Sequence, residues 1–510
     1  EGYYAASVTP ETTDEPPSAR LVIAPGQRFR FAAPQLTYAG ETPSENAVAA
    51  ARQAMAPITP GAPARASAVL EAEAAALTAL RRLGYADAEP GQRRIVVDHA
   101  SSDVTAHFAI AAGAFARLGV LRAEPPDVLR DDFIARVRNW GPGQPYDPER
   151  LAQLRRNLIT TGAMARVSTR LEPVNGDGLR NVVLEIEPAR RNAYELGVGY
   201  STTEGVGIDA EWTRRNVSRR ADSLILSSTL GELRQSLGAE WVRAHAAGIG
   251  RARRLNLSLS REDSEAFVRQ GIALSASVDA EPRLDLGISY GAQLSADWFD
   301  EAGGARNALV LTGFGEARND TRDNRFDAHD GSLVTLRLEP SVSAGDAALA
   351  FVRASAEGRL YESFAAHDRL TLAARARVGW LEPLSGNADD VPPNRRFYAG
   401  GGGSVRGYEY NSIYPTERDA LGLTPGGQGL FEASLEARWR LGERFGAVAF
   451  VDGGNAFDDW SDAADLRWGA GVGARYDLGF APLRIDIATP LVRRDGDADY
   501  ALYISIGQAF

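Results

Sequence analysis

An alternation of apolar and polar residues begins near Asn192 and runs to the C-terminus of this 510-residue chain. It is cut by Gly, Asp, Asn and Arg into segments of about ten residues, the pattern of strands joined by turns. Sixteen segments can be counted. The first eight are 193–201, 206–216, 221–231, 236–246, 253–262, 268–279, 284–297 and 305–317. The second eight are 330–343, 347–360, 368–381, 427–441, 444–453, 466–477, 481–489 and 499–509. In 430–440, Phe431, Ala433, Leu435, Ala437 and Trp439 share one face; Glu432, Ser434, Glu436, Arg438 and Arg440 share the other. In 481–489, Leu483, Ile485 and Ile487 oppose Arg484 and Asp486. In the last segment Tyr500, Leu502, Ile504, Ile506 and Phe510 oppose Tyr503, Ser505 and Gly507. Such strands make a wall with oil on one side and water on the other. A bilayer core admits strands only when every backbone group is paired, which requires closure. The expected fold is an antiparallel, sixteen-stranded membrane β-barrel. A soluble β-sandwich also alternates, but seldom sets several charges per strand against an unbroken apolar face sixteen times over.

Bulk composition hides this wall. Average hydrophobicity is low, and there is no run of about 20 apolar residues to make a transmembrane helix. A transmembrane strand is apolar on one face only, so neither fact argues against a barrel. The net charge of −11 disfavours nucleic acid as partner. The absence of cysteine excludes disulfides and thiolate chemistry, and five scattered histidines disfavour a His-built metal site. Every basic residue is Arg, a bias of composition more than of function. No nucleophile–base pair or metal cluster stands out, so the chain does not read as an enzyme, and no cofactor is expected. No signal peptide is seen. The opening Glu1-Gly2-Tyr3-Tyr4 reads as the middle of a domain, as expected of a mature or trimmed chain.

The N-terminal third repeats itself. Gly2-Tyr3-Tyr4 recurs as Gly84-Tyr85 and, without the aromatic, as Gly162-Ala163-Met164. After each come two strands, the second including Arg20–Val22, Val104–Ile110 and Leu179–Ile186, at a spacing of roughly 80 residues. Residues 67–83 are expected to bury Leu70, Ala74, Leu77 and Leu80 along one helical face. Asp147-Pro148 opens another helix, a cap followed by proline, with Leu151, Leu154 and Leu158 behind it. Segments 43–55 and 127–139 supply a shorter first helix. The unit is strand, helix, helix, strand, strand. It is complete over 33–117 and 118–190, behind the tail of another module at 1–32. Such modules present surfaces and sheet edges on which a client strand can add.

The longest connection, 382–426, falls on the end of the barrel away from these modules. The connection 318–329 is long for the near end. Within the former lies PPNRRFYAGGGGSVRGYEYNS (392–412), in whose glycine-rich second half Arg406 stands as a single arginine among small and aromatic residues. Folded inward, Arg406, flanked by Val405, Gly407 and Tyr408, would meet a lumenal carboxylate. Asp452, beside the ring of Phe450, is the expected one, and Glu436 faces the same lumen. Breaking such a pair would cost about 2–4 kcal/mol. It could be a staple that stills the loop, or a device that tensions the barrel's seam, where the first and last segments meet. Gly197 and Gly199 in the first segment, and Gly507 near Phe510 in the last, weaken that seam because glycine lacks cross-strand packing.

VRGY at 405–408, PPNRRFYAGG before it, FVDGG at 450–454, ELGVGYST at 195–202 and the tandem modules together resemble the Omp85 superfamily, and within it the translocation and assembly branch. The resemblance covers essentially the whole chain. It implies a Gram-negative outer-membrane barrel with periplasmic polypeptide-transport-associated (POTRA) domains that helps insert other outer-membrane proteins, autotransporters among them. By that analogy Arg406 is the loop-six arginine, Asp452 its acceptor, and the seam a lateral gate opening to outer-membrane lipid. The partners implied are unfolded outer-membrane clients and a long inner-membrane-anchored TamB-like protein. Members of that branch have three modules, whereas the first here lacks its opening strand and helices. The alternative is a two-partner secretion transporter, which exports a client through the lumen but typically carries two modules and a plugging helix. A central assembly barrel would bring five modules.

Overall fold

A computed structural model describes the chain except residues 1, 15–16, 265, 284, 302–303, 365–368, 416–424, 480, 494–496, 507 and 510. It divides into two compact units, Glu1–Pro188 and Ala189–Phe510.

The first unit opens with a hairpin, β1 (Ser7–Asp14) and β2 (Pro17–Ala24). A four-stranded sheet follows, from β3 (Arg30–Phe31), β4 (Gln35–Ala39), β5 (Glu89–Asp98) and β6 (Asp103–Ala111), packed on α1 (Glu45–Ala54) and α2 (Ala66–Arg82). A three-stranded sheet, β7 (Leu118–Glu124), β8 (Met164–Val174) and β9 (Arg180–Pro188), accompanies α3 (Asp131–Val137) and α4 (Pro148–Ile159). The strand, helix, helix, strand, strand order therefore occurs twice. One helical face departs from expectation. Leu70 is 55 % exposed and Ala74 is exposed; Val69, Ala72, Ala76, Leu77 and Leu80 are the buried residues of α2. In so alanine-rich a helix several stripes share the 3.6-residue period, and the bulkiest leucines do not single out the true one.

Helix α4 begins as its residues dictate. The Asp147 carboxylate accepts from the Glu149 amide at 2.9 Å, and Leu151, Leu154 and Leu158 are buried. Asp147→Ala should destabilise the first unit by about 1 kcal/mol, read as a lower urea midpoint with an unchanged slope.

The repeated glycines mark two joints built alike. Gly2 and Gly84 both lie at positive φ, and their carbonyls accept from the Phe29 and Ala116 amides, each at 2.8 Å. Arg30 and Arg117 each donate to a glycine carbonyl some 26–31 residues further on, Gly61 for Arg30 and Gly143 for Arg117, at 2.9 Å. Hairpin β1–β2 is thus tied to the module after it as that module is tied to the next.

The second unit is a closed antiparallel barrel of sixteen strands in sequence order. They are β10 (Asn192–Ser201), β11 (Gly205–Arg215), β12 (Asp222–Gly231), β13 (Arg234–Arg243), β14 (Arg251–Asp263), β15 (Val268–Arg283), β16 (Leu286–Glu301) and β17 (Gly304–Asp320). Then follow β18 (Gly331–Gly345), β19 (Leu349–Phe364), β20 (Leu370–Pro383), β21 (Gly429–Arg440), β22 (Phe445–Phe457), β23 (Arg467–Asp477), β24 (Pro482–Pro490) and β25 (Ala501–Ile506). All sixteen expected strands are present, with ends shifted by a few residues. The faces are inverted relative to a water-soluble protein. Leu336 and Leu338 are 53 % and 52 % exposed on the outside, while Glu339 between Leu338 and Pro340 is 8 % exposed inside. That arrangement suits lipid outside and a charged lumen.

Candidate functional site

The described residues of the loop after β20 fold back into the barrel. Val391, Phe397, Ala399, Val405, Tyr408 and Ile413 pack with Phe299, Val310, Phe351 and Leu381 from the surrounding strands into one buried apolar cluster. This core lies within the barrel, near the ends of the strands that the loop connects. On one side Arg375 donates to the carbonyls of Gly403 and Ser404, at 2.6 and 3.0 Å, and the Ser404 hydroxyl meets Glu432. On the other, Tyr410 and Asn411 reach Glu262 at the end of β14, at 3.2 and 3.3 Å. Burial, reinforced by Glu262, pushes the Tyr410 phenol up to about 12, so it stays neutral and donates.

At the base of this loop sits Arg406, 2 % exposed. Its Nε and Nη2 form a fork on Asp452 at 2.7 and 2.9 Å, and its backbone amide adds a third bond to the same carboxylate at 3.2 Å. Nη1 bonds Glu436 at 2.6 Å and Asp486 at 3.2 Å. The guanidinium lies 3.4 Å from the centre of the Phe450 ring. Lysine, a point charge, could not satisfy three carboxylates and a ring at once. Arg438 binds Glu436, and Arg475 and Arg484 bind Asp486, so the cluster alternates in sign. Strand β22 supplies Phe450 and Asp452 on one parity, β21 supplies Glu436 and β24 supplies Asp486.

The loop backbone fits against β23 because the residue it meets there is Gly469, the first of three alternating glycines. In the run RWGAGVGARYD, a Cβ at Gly469 would strike the Arg406 carbonyl, one at Gly471 the Phe450 ring, and one at Gly473 the Asp486 carboxylate. Sequence reasoning did not single out this rail or Asp486. The available signal was glycine at every second residue of one strand. Gly407, at φ +102°, presses against the backbone of Thr489 and Pro490, which a side chain there would meet at 2.9 Å.

The motif also touches both sides of the seam. The Gly407 amide donates to the Tyr503 hydroxyl of β25 at 3.0 Å. The Gly402 amide donates to Glu204, in the turn joining β10 to β11, at 3.0 Å. The Tyr408 hydroxyl reaches the carbonyls of Trp468 and Val492 at 3.1 and 2.7 Å. The seam itself is short. Only Tyr200↔Ile504 and Ser201↔Tyr503 pair β10 with β25 among the described residues. Gly197 lies below those pairs, where β10 keeps its other neighbour, β11; Gly199 lies against the Ile504 carbonyl. Gly507 and Phe510 fall outside the described residues. Behind the seam is a cavity of about 580 Å³ lined in part by Glu204, Arg234, Glu262, Arg269 and Tyr503.

Fold and site together define a class: a membrane β-barrel whose longest loop is held in its own lumen by one arginine, following small α+β modules. Residues 216–510 match the Omp85 superfamily domain. The chain belongs to the Omp85 superfamily. It is 24 % identical over 399 residues to the outer membrane protein assembly factor BamA of Nitratidesulfovibrio vulgaris, covering 75 % of this chain and 50 % of that one. The chain thus spans about half the length of that curated relative. Among solved structures it is similar to BamA from Haemophilus ducreyi lacking POTRA domains 1–3, with a TM-score of 0.75 at 15 % identity, over 94 % of this chain and 100 % of that one. CdiB from Acinetobacter baumannii gives 0.51 at 14 % identity, over 93 % and 89 %. At these identities the likeness is one of fold.

Proposed function

We propose that this chain assembles outer-membrane proteins, autotransporters among them, by pairing a client strand at the seam between β10 and β25. Its modules at 33–117 and 118–190 serve as periplasmic docking surfaces, behind a module tail at 1–32. One observation carries the reading. Two residue pairs join β10 to β25, whereas β24 and β25 share six and the remaining neighbours share more. The inner part of β10 therefore offers N–H and C=O groups within the barrel wall. A client strand that pairs there satisfies them without exposing backbone to lipid, and its release sideways buries its apolar face. No hydrolysis is required. The membership and the apolar outer wall support a Gram-negative outer-membrane location, with lipid bordering the seam.

In this reading Arg406, Asp452, Glu436 and Phe450, with Val405, Gly407 and Tyr408, act as a lock on the loop. Through Tyr503 and Glu204 the lock pins the outer end of the seam. The finer assignment, to the translocation and assembly subunit TamA working with a TamB-like partner, rests on the sequence motifs; the similar proteins named above are BamA and CdiB. Two-partner secretion through the lumen is disfavoured by the apolar core in the outer mouth, which an exported chain would have to dismantle.

A cysteine placed at Gly197 or Ser505 should crosslink to the terminal strand of a stalled client in native membranes. If no adduct forms, and assembly continues with the seam locked by a V198C/I506C disulfide, the assembly reading fails. Conductance through the lumen after loop displacement, with export of a soluble client, would favour secretion instead.

A further inference from the structure

The connection 321–330, at the end of the barrel where β10 starts, is longer than a tight turn and is internally ordered. The Asp323 carboxylate accepts from the amides of Asn324, His329 and Asp330 at 2.9, 3.0 and 3.2 Å. The turn is anchored to neighbouring strands. The His329 carbonyl accepts from the Ser363 hydroxyl at 3.0 Å, and the His329 ring meets Arg440 at 2.8 Å. Ala328 is 4 % exposed and packs with Tyr361 and Ala373 from the lumenal faces of β19 and β20.

What rests on this turn is the end of the chain. Ala509 packs against the Ala328 cluster, and Gln508 donates to the Asp327 carboxylate at 2.9 Å. The Gln508 side-chain oxygen Oε1 accepts from Arg475 Nε at 2.8 Å. The amide can be oriented in one way only, oxygen to guanidinium and nitrogen to carboxylate. Residues 508–509 thus lie with lumenal groups of β19, β20 and β23, on the far side of the wall from lipid. Continuing the register of Tyr200↔Ile504 and Ser201↔Tyr503 would instead set Ile506 opposite Val198 and Gln508 opposite Leu196. Gln508 cannot occupy both places.

We propose that turn 321–330 is a latch that holds the end of β25 inside the lumen and so keeps the inner part of the seam unzipped. The inference rests on the seam being the working edge described above and concerns what sets its width. The latch is also wired to the lock. Arg475 binds Asp486, which binds Arg406, so hydrogen bonds run without a break from Asp327 through Gln508, Arg475 and Asp486 to the loop arginine. Undocking the loop therefore loosens a group that helps hold Gln508.

Hydrogen exchange of the purified, lipid-reconstituted barrel without any client tests this. With the latch broken by Asp327→Ala, amides of 194–199 gain strand partners, and their exchange should slow about tenfold. Unchanged exchange in a variant that still shows heat-modifiable migration overturns the latch. A second variant controls for folding within one protein. The chain has no cysteine of its own, so D327C/Q508C can be toggled. Oxidised, the tail stays tethered and 194–199 exchange fast; reduced, they should be protected. Equal exchange in both redox forms also overturns the proposal. Because no client is present, failure here leaves the assembly reading standing, and a parent barrel that cannot capture clients would defeat that reading alone.

Discussion

Arg406→Ala is expected to free the loop and to cost the barrel about 3–5 kcal/mol, the range for removing one partner of a buried ion pair. The cost does not come from net charge. With Arg406 gone, Arg438, Arg475 and Arg484 still equal in number the carboxylates Glu436, Asp452 and Asp486. Glu436 retains Arg438, and Asp486 retains Arg475 and Arg484. Asp452, 1 % exposed, loses both arms of its fork and one backbone amide, and keeps the Ser434 hydroxyl. It is then a buried carboxylate without its cation. Adding Asp452→Asn should therefore restore part of the stability lost in Arg406→Ala, although it removes yet another wild-type group. Arg406→Lys should fall between wild type and alanine, keeping the charge but losing the fork. Two measurements check this: the urea midpoint for loss of heat-modifiable migration, and protease cleavage within 391–415. Cleavage as slow as in wild type would reject the lock.

The difference between what the residues announce and what they conceal follows from the range of each signal. The barrel was legible because strand parity is local: Phe431 and Glu432 fall on opposite faces whatever the rest of the chain does. Parity also put Phe450, Asp452 and Glu436 in one lumen, which narrowed the partners of Arg406. It could not pick Asp486, because which of many lumenal charges approaches the loop depends on how the cylinder closes and staggers. The tail of β25 was hidden for a related reason. Its alternation continues past Ile506, as if the strand did, and nothing near Gln508 in sequence reveals that Asp327 waits some 180 residues earlier. In α2 the fault lay in the pattern itself, since alanines at many positions let Leu70 stand in for Val69. The glycines of β23 carry no parity signal of their own, yet one of them, Gly469, is the surface on which the loop rests.

That surface makes the second large effect. Gly469→Val should expel the motif from its seat as effectively as removal of Arg406, without touching any charge. A Cβ at this position overlaps the Arg406 carbonyl, which is backbone and cannot rotate away. Either β23 moves, breaking its ladder with β22 and β24, or the loop does. The loop has fewer backbone bonds to lose, so cleavage within 391–415 should rise toward that of Arg406→Ala, with a stability loss of about 1–3 kcal/mol or more. Gly473→Val should act one step further along, by displacing the Asp486 carboxylate that links lock to latch. The barrel carries its own control. Gly315 in β17 and Gly358 in β19 have nothing within 4 Å of a built Cβ, so alanine at either should be neutral or gain up to about 1 kcal/mol through the entropy of the unfolded chain. If Gly315→Ala and Gly469→Val were equally harmless, the β23 glycines would be ordinary strand residues, and the loop would be held by its charges alone.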